Sequence, residues 1–227
     1  MQSEELYFRR ADLFQDVFEG TITRPLAEAW ARIADRVNAP KIEEVMSIGR
    51  KCARKTVYIN CWHANNSESE AMWRLYCPNN QGIAIETTYT KLAEWSAHLP
   101  NSFIGKVTYL DYQKEKFTAD NYLHAFMHKR SSFEHESEVR ILRSEHEEFR
   151  KRDLKDFDEL VRMEQTLSGL PSGMSFKFPL EENVAAIFVN PYAPDWYFEM
   201  FRKLINSLKP SMLKRLNKSA LADLPYF

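Results

Sequence analysis

Apolar residues along this chain recur at two different spacings, and each spacing predicts its own kind of element. Leu26, Trp30, Ile33 and Val37 stand at i, i+4, i+7 and i+11, the stripe of a helix with Pro25 near its start. A second helix is expected from about Lys41 to Arg54, after Pro40. From Thr56 to Trp62 the period drops to two, and Val57, Ile59 and Cys61 share one face of a strand. Leu6 to Phe8 predict an earlier strand that runs into a loop over Ala11 to Glu19. Ser67 and Glu70 have the spacing of a capping box. The helix they would open carries Ala71, Met72, Trp73, Leu75, Tyr76 and Cys77 around more than half its circumference, which predicts burial on most sides.

Farther on, Gly82 to Glu86 and Ile104 to Tyr109 predict strands with a helix near Lys91 to His98 between them. Asp120 is expected to open a helix that ends about Arg130, with Tyr122, Leu123, Phe126 and Met127 inward. Val139 to Leu142, Met174 to Phe178 and Ala186 to Val189 predict three more strands. The last long helix sets Tyr197, Met200, Phe201, Leu204 and Leu208 on one face. Residues 143 to 165 mix charges of both signs and predict an exposed helix, a charged insertion over about 143–170. Short gaps between strands favour an α+β fold over a regular parallel series. The expected architecture is one domain over 1–227, with a mixed or antiparallel central sheet, whole or split, flanked by helices.

Composition narrows the classes of function. A hydrophobic fraction of 44% with 13% aromatic residues predicts a packed globule. A net charge of -1 argues against coating nucleic acid or an anionic membrane by bulk electrostatics. The six glycines are scattered, so no Gly-rich phosphate loop is available. Cys52, Cys61 and Cys77 lack CxxC spacing and suit reduced thiols. The acidic start Met1 to Glu5 differs from a signal peptide, and no apolar run approaches the roughly 20 residues of a membrane span. A soluble, cytoplasmic protein is expected.

Two polar-aromatic stretches carry the candidate chemistry, Cys61 to Tyr76 and Lys129 to Arg140. In an extended chain Glu136, Glu138 and Arg140 project to one side. Two carboxylates so placed repel, which raises the pKa of one, while Arg140 holds the other ionised. The same spacing also suits a salt-bridge cluster on a solvated strand end. Lys129 and Arg130 either complement the C-terminal dipole of the expected helix or bind a ligand phosphate or carboxylate. Trp62 and His63 end a strand where Ser67 and Glu70 begin a helix, a place suited to lining a pocket. Trp62, Trp73 and Tyr76 suit stacking on a nucleobase or nicotinamide, and equally suit core packing. His124 and His128 have metal-ligand spacing on a helix, but no Glu follows the first His, so no metal site is assigned.

These motifs together resemble domain-of-unknown-function family 2971 of bacteria and phages. The resemblance rests on Leu6-Tyr7-Phe8-Arg9-Arg10 with Asp16-x-x-Glu19-Gly20, and on Cys61-Trp62-His63 with Glu68-Ser69, Met72-Trp73 and Tyr76. It continues through Gly82 to Ile85, Lys129-Arg130-x-x-Phe133-x-x-Glu136-x-Glu138-x-Arg140 and Ile187-Phe188-Val189-Asn190-Pro191. An early strand with basic residues, a central aromatic helix and a late E-x-E are in turn similar to ADP-ribosyltransferases. That likeness implies an ADP-ribosyltransferase-like topology and NAD as the bound nucleotide. Glu138 would stabilise the oxocarbenium-like ribose, Glu136 would orient a macromolecular acceptor, and Arg9 or Arg10 would meet the dinucleotide phosphates. The Ser-Thr-Ser strand motif of those enzymes has no counterpart here.

The expected site therefore comprises Glu138 and Glu136 as catalytic groups. Arg9, Arg10, Trp62, His63, Glu70, Trp73, Tyr76, Lys129, Arg130 and Arg140 are its ligand-binding groups. The expected function is nucleotide binding with ADP-ribosyl transfer, in a phage-conflict setting. Two other functions fit the same residues: a non-catalytic ligand-sensing or protein-interaction module, and a metal-dependent nucleic-acid enzyme.

Overall fold

A computed structural model describes residues 3–36, 42–118, 121–145 and 157–222. Strand β1 (Glu5–Arg10) leads through a short 3-10 turn to helices α1 (Arg24–Arg36) and α2 (Ile42–Thr56), then to strand β2 (Val57–His63). Helix α3 (Glu70–Tyr76), strand β3 (Ile83–Glu86) and helix α4 (Tyr89–Ala97) follow. Next come strands β4 (Ser102–Lys106), β5 (Thr108–Leu110), β6 (His128–Arg130) and β7 (Glu138–Ser144). The remaining elements are α5 (Phe157–Leu167), β8 (Gly173–Lys177), α6 (Leu180–Asn183), β9 (Ala186–Val189), α7 (Asp195–Leu208) and β10 (Leu216–Lys218). The fold is α+β, as the interleaved spacings predict. No helix among the described residues is long and apolar enough to cross a membrane.

The chain forms two compact units, each assembled from separate stretches. The larger holds Tyr7–His63 and Leu99–Ser175; the smaller holds Met1–Leu6, Ala64–His98 and Phe176–Phe227. In the larger unit a five-stranded sheet has the order β4-β7-β2-β1-β8. Strand β2 lies antiparallel to β7 with Ile59 opposite Leu142, Cys61 opposite Arg140 and His63 opposite Glu138. Directly opposed residues point to the same face, so Val57, Ile59 and Leu142 share one side. There they pack with Cys52 and Ala53 of α2, Met163 and Leu167 of α5, and Leu123 and Phe126. The described end of the charged stretch after 143 is thus α5, whose apolar side enters the core and whose Glu164 pairs with Lys55 at 2.5 Å. Residues 146–156 of that stretch lie outside the described residues.

The smaller unit is built on a three-stranded sheet, with β9 antiparallel to β3 and parallel to β10. Trp95 of α4 meets Phe178 edge-on at 5.0 Å, and its indole N–H donates to the Lys177 carbonyl at 2.8 Å. Ile187, Val189, Ile205 and Met212 complete this core.

Several expectations are corrected. The helix expected from Asp120 to Arg130 is a 3-10 turn over Tyr122–Met127, followed by strand β6. Asn121 caps that turn by accepting from the Leu123 N–H at 2.8 Å. Parallel pairing with β5 then draws His128 to Arg130 straight. Asp120 itself is outside the described residues. The cap of α3 is Ser69 rather than Ser67, accepting from the Met72 N–H at 3.4 Å. That cap places Glu70 in the first helical position, too early to reach back as a capping-box acid. Helix α3 buries Trp73 alone, while Leu75 and Tyr76 are exposed. The stretch from Ile104 to Tyr109 is two strands, broken at buried Val107, whose N–H donates to the Glu138 carbonyl at 2.9 Å.

Candidate functional site

The ionic centre of the larger unit gathers where β6 and β7 begin. Strand alternation places Glu138 and Arg140 on one face of β7, opposite His63 and Cys61 of β2. Glu136 reaches them differently from the extended run expected. It ends a 3-10 turn over Ser131–Glu136, and Ser137 then takes a left-handed conformation at φ 45°. That single reversal turns the Glu136 side chain toward Lys129, which bonds its carboxylate and also donates to Glu138 Oε1 at 2.7 Å. Arg140 Nε donates to Glu138 Oε2 at 2.5 Å. Lys129 and Arg130 therefore act from a strand rather than from a helix end. The Tyr109 hydroxyl accepts from the Glu138 backbone N–H at 2.8 Å and holds the start of β7 to β5.

The remaining donors of Arg140 are filled from the loop after β1. Glu19 accepts from Nη1 at 2.7 Å and from Nη2 at 2.9 Å, and Nη1 also reaches the Phe126 carbonyl at 2.6 Å. Gly20, at φ +67°, lets the chain turn there, and a Cβ on it would lie 2.2 Å from the Phe126 ring. Three residues before Glu19, Asp16 pairs with Arg130 at 2.8 Å. The Arg130 guanidinium lies over the rings of Phe18 and Phe133, 4.5 and 5.2 Å from their centroids. Lys129 also sits over the Phe133 ring.

Burial sets the electrostatics of this cluster. Glu19, Lys129, Glu136, Glu138 and Arg140 are all buried, and Arg140 has no exposed surface. Desolvation, with a hydrogen bond shared with Glu138, pushes the Glu136 carboxyl up to about 7 despite the pull of Lys129. Burial opposes the charge of Glu138 as well, but the hydrogen bond from Glu136 and the adjacent Arg140 and Lys129 outweigh it. They hold Glu138 well below the usual carboxylate range. Burial raises Glu19 against the attraction of Arg140. Two carboxylates that share the Lys129 ammonium thus differ near neutral pH, one titrating there and one a fixed anion. A fixed anion stabilises positive charge beside it, and a carboxyl titrating near 7 exchanges protons at physiological pH.

Of the expected site, Glu136, Glu138, Lys129, Arg140 and His63 meet in this cluster, with Arg130 at its edge. His63 Nδ1 hydrogen-bonds the Glu136 carbonyl at 2.7 Å. Trp62 lies opposite Val139 and so on the other face of the sheet from Glu138, its indole N–H donating to Asn60 Oδ1 at 2.6 Å. Arg10 is occupied by Asp12 at 2.7 Å and the Leu170 carbonyl at 2.5 Å. Arg9 is exposed, bonds the Leu13 carbonyl at 3.1 Å, and shares the Ile59 face. Glu70, Trp73 and Tyr76 belong to the smaller unit. There Glu70 accepts from the Tyr192 hydroxyl at 2.6 Å, and the Trp73 indole donates to Glu68 at 3.1 Å. The described surroundings of His124 and His128 differ from a metal-binding helix. His124 Nδ1 bonds the Thr118 carbonyl, while His128 Nδ1 bonds the His124 carbonyl and its ring stacks on Phe117 at 4.1 Å.

Sequence reasoning gave no role to Glu19, Asp16, Phe18 or Tyr109. The motif Asp16-x-x-Glu19-Gly20 held a signal, since an acid beside a turn glycine fits a loop fixed to a distant cation.

Residues 72–141 match the model of a family described as a protein of unknown function (DUF2971), the family whose motifs the chain resembles. The matched stretch runs from α3 into β7 and includes Lys129, Glu136, Glu138 and Arg140. Neither the curated proteins nor the solved structures contain a match to the chain.

Proposed function

We propose that the larger unit binds a nucleotide such as NAD and transfers ADP-ribose to a macromolecular acceptor, in a site of the ADP-ribosyltransferase kind. The observation that carries this reading is the division of labour within the carboxylate pair. Glu138 stays ionised and is positioned to stabilise positive charge; Glu136 titrates near neutrality. In the reaction the bond between the ribose anomeric carbon and the pyridinium nitrogen breaks, and its electron pair leaves with neutral nicotinamide. Glu138 stabilises the resulting oxocarbenium character. An acceptor nucleophile then bonds the anomeric carbon and gives its proton to Glu136. Arg9, with its exposed guanidinium, serves the phosphates better than Arg10, whose donors are taken.

Incubation of the purified protein with labelled NAD and a cell extract tests this function. Label is expected on acceptor proteins, and Glu138→Gln is expected to cut transfer by about 10²-fold or more. Transfer that persists unchanged in Glu138→Gln removes that residue from catalysis, and no transfer by the wild-type chain removes the activity.

One observation favours a second function, that of a non-catalytic ligand-sensing or protein-interaction module. Both acids of the pair are satisfied by Lys129 and Arg140 and are nearly closed to solvent, as a structural polar network would be. Absence of label transfer, together with no rise in thermal midpoint on adding nucleotides, selects this module.

A further inference from the structure

Helix α7 splits the apolar face that its spacing predicts: Tyr197 and Phe201 are half-buried, while Met200, Leu204 and Leu208 are exposed. Ile205 is fully buried, with Phe198 and Phe201 half-buried on the same side. Trp196, Met200, Leu204 and Leu208 instead face out, 57%, 45%, 43% and 39% exposed. These four recur every fourth residue and form a single apolar ridge along the whole helix. Monomeric proteins seldom leave a contiguous ridge of large apolar side chains to water, and such patches mark association surfaces.

The ridge fits its own copy. Ridges of i±4 residues pack into the grooves of identical ridges at the commonest crossing angle of globular helices. A two-fold axis perpendicular to the helices makes the pair antiparallel, and residues flanking one side of the ridge then meet the same flank in reverse order. That flank carries Glu199 and Lys203, one turn apart. Reversal therefore brings the acid of each chain toward the cation of the other. Lys203 has no ionic partner among the described residues, and Glu199 holds only Arg202 of its own helix, at 2.8 Å. A net charge of -1 puts little long-range repulsion between copies.

We propose that the outward ridge of α7 is the contact surface of an antiparallel homodimer, centred between Met200 and Leu204 and flanked by reciprocal Glu199–Lys203 pairs. One helix face is smaller than the roughly 800 Å² per partner of a standard interface, so the dimer is concentration-dependent.

Sedimentation equilibrium of the full chain over a wide concentration range tests this proposal. The expected mass rises from one chain to two. Leu204→Glu is expected to raise the dissociation constant about tenfold or more, while the dilute monomer keeps its folded circular-dichroism spectrum because Leu204 lies on the outer side of the helix. Glu199→Lys and Lys203→Glu are each expected to weaken self-association, and an equimolar mixture of the two variants to dimerise more tightly than either alone. A monomer at every concentration overturns the proposal. So does a dimer indifferent to Leu204→Glu, or a mixture no tighter than its components.

Discussion

Two clusters of this molecule have similar ingredients and different surroundings. In the larger unit Lys129, Glu136, Glu138, Arg140 and Glu19 form a chain of ion pairs closed to water. In the smaller unit Glu70, Arg74 and Tyr192 form another: the Tyr192 hydroxyl bonds Glu70, and the Arg74 guanidinium lies 3.8 Å over the Tyr192 ring. The second cluster remains at the surface, with Glu70 and Arg74 each more than half exposed. Charge density along a chain therefore signals that partners exist without signalling the dielectric in which they meet. Of the two clusters, the buried one shifts a carboxyl to near neutral pH, because desolvation outweighs the partner's attraction at Glu136, whereas the Tyr192 hydroxyl and Arg74 outweigh it at Glu70.

The largest effect that tests this contrast is at Arg140. Arg140→Met leaves Glu19 and Glu138 buried without their shared cation, which is expected to cost about 3–5 kcal/mol of unfolding free energy. Urea denaturation at neutral pH measures it. Adding Glu19→Leu to Arg140→Met is expected to recover part of the loss, because one stranded acid is then gone. A single-variant loss below about 1 kcal/mol would make the buried cluster energetically equivalent to a surface pair, and the contrast would break.

A smaller effect sharpens the contrast through pH. The folded-state pKa of Glu136, about 7, lies above its ordinary 4.5, so the folded chain holds that proton more tightly than the unfolded chain. Its contribution to stability is fully present below about 4.5 and is lost as pH rises through about 7. The loss is expected to reach up to about 3 kcal/mol. Glu138 has the opposite sign: its depressed pKa stabilises the fold above the ordinary carboxylate range, and that contribution is lost as pH falls below it. Thermal or urea midpoints between pH 5 and 8 are expected to fall in the wild type and to flatten in Glu136→Gln. A slope unchanged by Glu136→Gln would assign the titration to another group.

Half of this centre is legible in the sequence. Alternation along β7 placed Glu138 and Arg140 together, and the repulsion of neighbouring acids anticipated one raised and one depressed carboxyl. The strands and most helices were equally plain, since burial of one face writes a period of two or of 3.6 into the residues. Glu136 arrives through the left-handed Ser137, a backbone event that its spacing does not encode. Glu19 lies more than a hundred positions from Arg140, and no local pattern specifies a contact of that range. Trp62 shows the converse, because proximity in sequence to His63 set it on the opposite sheet face. For α7 the period is legible, but its face is shared between core and solvent, with Phe201 half-buried and Met200, Leu204 and Leu208 exposed. Both sides of that helix carry large apolar groups, so spacing alone could not tell which side met the core.

The smallest expected effect lies in the smaller unit. Arg74→Ala removes an ion pair of 3.5 Å to Glu70 and a stacking contact on Tyr192, both formed in water. Water replaces the lost partner for Glu70, salt screens what attraction remains, and Ala restores side-chain freedom to the helix surface. Glu70 keeps the Tyr192 hydroxyl as a donor, so no buried group is stranded. The urea midpoint of Arg74→Ala is therefore expected to fall within experimental scatter of the wild type, at both low and high salt. A loss approaching that of Arg140→Met would show that this surface pair supports the smaller unit as strongly as the buried chain supports the larger one.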